Sequence, residues 1–334
     1  RDVARLAGVS TSTARRAIHQ PKLLAPETLE RVLKAIDALQ YEPDQMAGAL
    51  RKGRSTTIGM VVGNIMEPFF AALIRSVASN LMARDYALIF AENQYRADIE
   101  LQQLRMLHGH RVSGLLLRSG FGPPNLAYLR KMHERGTHII HVDYFFDGSP
   151  FGYVMLDNAG SVAAGVEYLH SLGHRRIAPL ATYHPLVSPE ERSSAFPLAM
   201  AAHGLKIPPQ YQRVVSLADA DDAYKLTVDL MRLEVPPTAL FALTGNQGLG
   251  AYRALKDLGI DIPGEVSLLT FDAYPWMTLV EPNLDAIEQP VDEMGKAAVS
   301  ALLREIEATG PVDKTELRFP GILRRRGSAA PPPD

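Results

Sequence analysis

The spacing of apolar residues changes character at residue 58. Upstream, apolar side chains recur every three or four positions: Val3, Leu6 and Ala7, then Ala14, Ala17 and Ile18, then Leu29, Val32, Ile36 and Leu39. That period predicts three short amphipathic helices. Gly8 supplies the permissive backbone of a tight turn between the first two, and Ser10 can cap the second through its hydroxyl. Pro26 suits a first helical position, while Pro43 pushes the preceding residue out of helical geometry and ends the set. Two short helices around a glycine turn, closed by a third, read as a helix-turn-helix unit.

Downstream, apolar runs at 58–62, 87–92, 114–118, 138–143, 176–181, 213–217, 239–244 and 266–272 predict strands. Amphipathic stretches at 68–84, 98–110, 161–172, 189–203, 220–233, 247–258 and 291–306 predict helices between and after them. Such alternation requires parallel sheets covered by helices on both faces. About ten strands exceed one compact open sheet, so two α/β subdomains side by side are expected. A ligand cleft would then lie beyond the carboxyl ends of both sets of strands. The tail 327–334 has little apolar content to bury and is expected to be disordered.

Charge sharpens the division. The net charge of −2 hides +4 over residues 1–54 and −6 over the remainder. A basic module on an acidic body concentrates on polyanionic DNA while the body stays off it, with affinity falling as salt rises. On the second helix Thr11, Ser12, Thr13, Arg15, Arg16 and His19 are left facing outward. These types suit a major groove, where Arg pairs two donors with guanine and Ser or Thr meets base edges or phosphates. In the segment 44–51, Met46, Ala47 and Leu50 fall at helical spacing, but so short a helix cannot meet its nucleation cost alone, and Gly48 weakens it further. With no cysteine, disulfides, thiolate metal sites and cysteine nucleophiles are excluded. No apolar run reaches membrane length and no secretory signal is evident, so a cytoplasmic protein without membrane contact is expected.

Several motifs in order resemble the LacI/GalR family of bacterial transcription regulators: DVARLAGVS, a third helix ending in YEP, the segment leading into TIGMVV, EPFFAALI, GVEYLHSLGHRRIA, RSSAF, LGIDIPGEVSLLTFD and EQPVDEMG. The likeness runs from Arg1 to about Arg326. It implies a helix-turn-helix headpiece (1–43), a hinge helix and linker (44–57) and a two-lobed, periplasmic-binding-protein-like core (58–326). Lobe 1 would take about 58–156 and 288–317, and lobe 2 about 157–287 and 318–326. It further implies a homodimer, with a tetramer left open, on a near-palindromic double-stranded operator. Leu50 matches the family leucine that wedges between base pairs of the minor groove, with Met46 and Ala47 beside it. Coupled folding of the hinge would let a ligand control DNA binding. The headpiece departs from the family at Ala14-Arg15, where Val-Ser is usual, and at His19, where Asn is usual. Arg15 could read bases or contact phosphate.

The resemblance also implies effector contacts. Asp143 and Asp272 match family acids at strand ends, Arg192 the family arginine at a helix start, and Ser188 a position one turn before it. Pro68, Phe69 and Phe70 match Asn-Pro-Phe-Phe, with Glu67 in place of Asn. One phenyl ring would be a ligand platform and the other core, because adjacent helical residues do not share a face. Arg118 and Thr244 stand at strand ends, and Trp276, with Tyr274, could stack on a sugar or simply pack at the rim. A repressor released by a sugar or sugar derivative is the expectation. A purine-type corepressor-dependent regulator, or a solute-binding protein on the same core, is the alternative. No cofactor and no metal are expected. The chain lacks a glycine-rich phosphate loop, a GxSxG elbow and an HExxH pair, and His108 with His110 reads as a solvated basic turn, so no enzymatic activity is expected.

Overall fold

The computed structural model describes residues 1–41, 55–121, 124–182, 191–212, 214–215 and 219–333. The chain forms two units, 1–55 and 56–334.

The first unit contains α1 (Asp2–Leu6), α2 (Thr11–His19) and α3 (Pro26–Ala38). Val3, Ala4, Ala7, Ala14, Ala17, Val32 and Ala35 form its core, and the alanines let the three helices approach closely. Gly8 adopts φ +63, the left-handed conformation its position in the turn demands. Arg31 fastens that turn by donating to the carbonyls of Ala7 (2.6 Å) and Gly8 (3.0 Å). Ser10 caps α2, its hydroxyl accepting from the Thr13 amide at 3.1 Å. Two apolar assignments need correction. Leu6 and Leu39 are exposed, because α1 turns Val3, Ala4 and Ala7 inward and α3 is already closed by Val32 and Ala35.

The second unit holds two six-stranded sheets. In chain order the elements are β1 (Thr57–Val62), α4 (Pro68–Met82), β2 (Ala87–Glu92), α5 (Ala97–Gly109), β3 (Gly114–Leu117), α6 (Leu126–Glu134), β4 (His138–Val142), β5 (Gly152–Leu156), α7 (Asn158–Ser171), β6 (Ile177–Thr182), α8 (Glu191–Ala202), β7 (Val214–Val215), α9 (Ala220–Met231), β8 (Ala239–Ala242), α10 (Gly245–Asp257), β9 (Ser267–Phe271), β10 (Asp285–Glu288), α11 (Val291–Glu307), β11 (Glu316–Phe319) and β12 (Ile322–Arg324). The first sheet runs β11-β5-β4-β3-β1-β2 and the second β12-β10-β9-β8-β6-β7. All pairings are parallel except β10 with β12. The chain crosses between sheets after β5, after β10 and between β11 and β12. Successive residues of β1, Met60 and Val61, enter different apolar clusters, so both faces of the first sheet are covered. α8 continues through Pro197 to Ala202.

The C-terminal segment is ordered, contrary to expectation. Asp285, fully buried at the start of β10, accepts from the amides of Arg326 (2.6 Å), Gly327 (2.7 Å) and Ser328 (3.2 Å) with one oxygen and from the Tyr168 hydroxyl (2.7 Å) with the other. The Ser328 hydroxyl donates to the Leu268 carbonyl at 2.6 Å, and the Ala330 carbonyl meets the buried His174 imidazole at 2.9 Å. Burial holds that imidazole below its ordinary pKa, in keeping with a neutral ring. The segment is therefore fixed by backbone hydrogen bonds rather than by apolar side chains. Asp285→Ala removes the acceptor of four donors, and we expect a loss of about 3 kcal/mol or more in denaturant unfolding, with the slope unchanged. A loss under about 1 kcal/mol would contradict this role.

Candidate functional site

The carboxyl ends of both parallel sheets carry charged and aromatic side chains. From the first sheet come Glu67, capping the start of α4, Tyr95 after β2, Arg118 after β3, and Asp143 with Tyr144 after β4. From the second come Arg192 in the first turn of α8, Thr244 and Gly245 after β8, Asp272 and Tyr274 after β9, and Gln289 after β10. Asn158, opening α7, joins them.

Three of these residues have a left-handed backbone, Tyr95 (φ +60) and the two strand-end acids. Asp143 (φ +66) and Asp272 (φ +61) both turn left-handed directly after a strand, a conformation costing on the order of 1 kcal/mol for a side-chain-bearing residue. Each carboxylate is thereby brought back to its sheet's end. Asp272, buried, accepts from the Gly245 amide at 3.1 Å and from Gln289 Nε2 at 2.7 Å. Asp143 faces the buried Arg118 at 3.4 Å.

The arginines are held by the protein. The Arg118 guanidinium lies 4.6, 4.4 and 5.0 Å from the ring centres of Tyr95, Phe121 and Tyr144, and donates to the Ser119 carbonyl at 2.6 Å. Arg192 donates to Asn158 Oδ1 at 2.7 Å and to the Leu243 carbonyl at 2.9 Å, and stacks 4.2 Å from the Phe271 ring centre. Glu191 accepts from Asn158 (2.8 Å) and from Arg318 of β11 (2.7 Å), tying the two sheets' elements at the rim.

Aromatic rings complete the walls. A Cβ on Gly245 would overlap the ring of Tyr274, and one on Gly63 the ring of Tyr95, so each tyrosine rests directly on glycine backbone. Tyr95 donates to Glu67. The half-buried Glu67 carboxyl is pushed up to about 7, chiefly by burial and further by Asp143 and Asp272, with Tyr95 and Arg118 opposing. Burial, then the charge of Asp272, raises the Tyr274 hydroxyl. Two buried amide atoms have no partner among the described residues: Gln289 Oε1, an acceptor, and Gln247 Nε2, a donor. A buried polar group without a partner costs free energy, and a ligand can supply what is missing.

The structure gathers Arg118, Asp143, Arg192, Thr244 and Asp272 at strand ends or the adjoining helix starts. It separates others. Phe69 and Phe70 are both buried, packed edge to face at 5.0 Å, and Phe70 approaches Tyr95 at 6.4 Å; Pro68 is exposed. The expected division of one ring to the ligand and one to the core is not seen, because the turn opening α4 buries both. Trp276 packs against Tyr252 (6.2 Å), and Tyr274 takes the place beside Asp272. The Thr244 hydroxyl caps α10, accepting from the Gln247 amide at 3.2 Å. Ser188 lies outside the described residues, as do Met46, Ala47 and Leu50. Tyr95, Asn158 and Gln289 were not identified from sequence; Gln289 stands inside the quoted motif EQPVDEMG. On α2, Thr11, Ser12, Arg15 and Arg16 are exposed, Thr13 is partly so, and the His19 side chain lies outside what is described. No cluster of three or more metal-ligating side chains occurs among the described residues, and none of their helices is long and apolar enough to cross a membrane.

Comparison with known proteins agrees with both units. Residues 1–44 match the family model "Bacterial regulatory proteins, lacI family", and residues 166–329 match "Periplasmic binding protein-like domain". The chain is 32% identical over 333 residues to the HTH-type transcriptional regulator PtxS of Pseudomonas aeruginosa, covering 98% of this chain and 95% of that protein. The chain belongs to the LacI family of bacterial regulators. It is a DNA-binding transcriptional regulator, and its LacI-family relatives are regulators rather than enzymes. The ribose operon repressor of Escherichia coli is 29% identical over 335 residues, covering 98% of this chain and 99% of the repressor. Among solved structures, a complex of the transcriptional regulator CelR with cellobiose is 26% identical with a TM-score of 0.73, each chain 98% covered. The lac repressor dimer bound to operator is 22% identical with a TM-score of 0.86, again covering 98% of each chain, and shows the shared LacI-family fold.

Gly245→Ala tests whether this end of the cleft is tightly built. We expect about 1–3 kcal/mol of destabilisation, as Tyr274 is driven from its place, and most of it should be recovered in the double variant with Tyr274→Ala. Simple additivity of the two losses would contradict the contact.

Proposed function

We propose that this protein is a cytoplasmic, homodimeric repressor that binds a near-palindromic operator and is released by a sugar or sugar derivative bound between the two sheets' carboxyl ends. The observation that carries the effector reading is the pair Asp143 and Asp272, each held left-handed at the end of its sheet. Carboxylates at such points accept hydroxyl donors, and Tyr95 and Tyr274 offer faces to the C–H surface of a sugar ring. The buried acceptor Gln289 Oε1 would take one further hydroxyl. Support also comes from the cellobiose complex of CelR and from a LacI-family regulator of Enterococcus faecium with bound ribose, 26% identical with a TM-score of 0.70, which covers 82% of this chain and 99% of that one. A nucleobase as corepressor is the second reading, favoured by the stacked rings of Tyr95 and Phe121.

In this reading α2 enters the major groove, where Arg16 reads a base and Thr11, Ser12, Thr13, Arg15 and His19 contact base edges or phosphates. The segment 44–57 is the hinge: two copies fold over the central minor groove, with Leu50 wedged between base pairs and Met46 and Ala47 lining the same face. Selection from a random palindromic library at about 150 mM salt provides the operator; failure to enrich any sequence would overturn the regulator reading at this site. On the selected operator, Arg16→Ala should cost about 1–3 kcal/mol and relax preference at one base position. Leu50→Ala should weaken operator binding by a similar amount while leaving the dimer intact by sedimentation. Dissociation of the dimer instead would contradict the hinge assignment.

A further inference from the structure

Glu67 is the cleft carboxyl whose oxygen atoms are least provided for by the fold. Asp272 has two protein donors and Asp143 faces Arg118, whereas Glu67 accepts from the Tyr95 hydroxyl, a single neutral group. The groups around it come from every neighbouring element: Tyr95 after β2, Arg118 after β3, Asp143 after β4, and Asp272 and Tyr274 after β9. Glu67, Asp143 and Asp272 stand about Arg118, which also faces the buried Glu100, and Arg192 reaches the neighbouring Tyr274, so carboxylates outnumber guanidiniums and the ionised cluster is net negative. Both guanidiniums are already engaged by carbonyls and by Asn158 or Asp143. A ligand that fills the cleft replaces water, the medium that makes such a charge tolerable. A proton relieves part of that charge, and the carboxyl with the fewest donors is where it is least costly to place.

We infer that Glu67 enters the effector-bound cleft as a neutral acid, taking up a proton from solvent as the ligand binds and presenting its hydroxyl as a hydrogen-bond donor to a ligand oxygen. The proton comes from bulk water and is returned on release, with no bond to the ligand formed. This rests on the effector reading above, and it adds that neutral or anionic polyols are accepted while a ligand with an ammonium beside Glu67 competes with the proton. The linkage has a fixed sign. Burial, with Asp143 and Asp272 beside it, pushes the free carboxyl up to about 7. Binding raises that midpoint, so effector affinity is flat below it and falls up to tenfold per pH unit above it.

Two measurements on the full-length protein test the inference. In the free protein, carboxyl carbons labelled with ¹³C should include one that titrates near neutrality and disappears in Glu67→Gln. Ribose, cellobiose, galactose and gluconate are then screened by thermal shift, and the best stabiliser is titrated calorimetrically at pH 6 to 8.5 in buffers of different ionisation enthalpy. We expect about one proton taken up at pH 8, close to none at pH 6, and an affinity in Glu67→Gln that does not vary with pH. Proton release, no linkage, a pH dependence that persists in Glu67→Gln, or the missing carboxyl resonance would each overturn the inference while leaving the sugar reading intact. If no probe stabilises the protein but the resonance titrates, the sugar reading fails and so does the linkage built on it.

Discussion

The Asp272 carboxylate is the constraint from which the rest of the cleft follows. Its two oxygens bind the first amide of α10 and the side chain of Gln289, so one buried group fixes the ends of β8, β9 and β10 together. A carboxylate at a helix N-terminus is favoured by the unpaired amides and the helix dipole. That gain offsets the left-handed backbone at Asp272. Because Gly245 gives its amide to Asp272 and its bare Cα to Tyr274, the aromatic wall is set by the same contact. Asp143 and Arg118 form a parallel arrangement in the first sheet, where the guanidinium is further enclosed by three rings.

Parallel sheets covered on both faces leave the carboxyl ends of their strands as the natural place for polar chemistry. Here the chain passes three times between the two sheets, and in the proposed reading a small rotation of one sheet's unit against the other would change the distance between Glu67 and Asp272. The rim ion pair of Glu191 with Arg318 is exposed enough to break and reform during such a motion at little cost. A ligand that interacts differently with the two arrangements shifts their balance, which is the requirement for control of the DNA-binding unit.

Much of this was legible in the chain. The change of apolar period at residue 58 separates the helical headpiece from the sheets, and long runs such as Ile58–Val62 or Leu115–Leu117 read as buried strands because both faces are covered. Short elements were harder. β10 to β12 carry two apolar residues each, and strand partners elsewhere in the chain stabilise them. The described residues from 327 to 333 carry no apolar signal of order, because Asp285 holds their start through backbone amides, which leave no mark on side-chain pattern. Asp143 and Asp272 were visible as strand-end acids, but their left-handed backbone was not. Trp276 and Tyr274 are two residues apart, and sequence spacing gave no means to decide which of them faces Asp272.

The central claim is that a ligand held at Asp272 governs DNA binding by the headpiece. Fluorescence anisotropy of the selected operator, with and without the stabilising ligand, tests it most directly in wild type and Asp272→Ala. The account predicts that both proteins bind operator alike in the absence of ligand, and that ligand releases only the wild type. Release of Asp272→Ala at the same ligand concentration would contradict it.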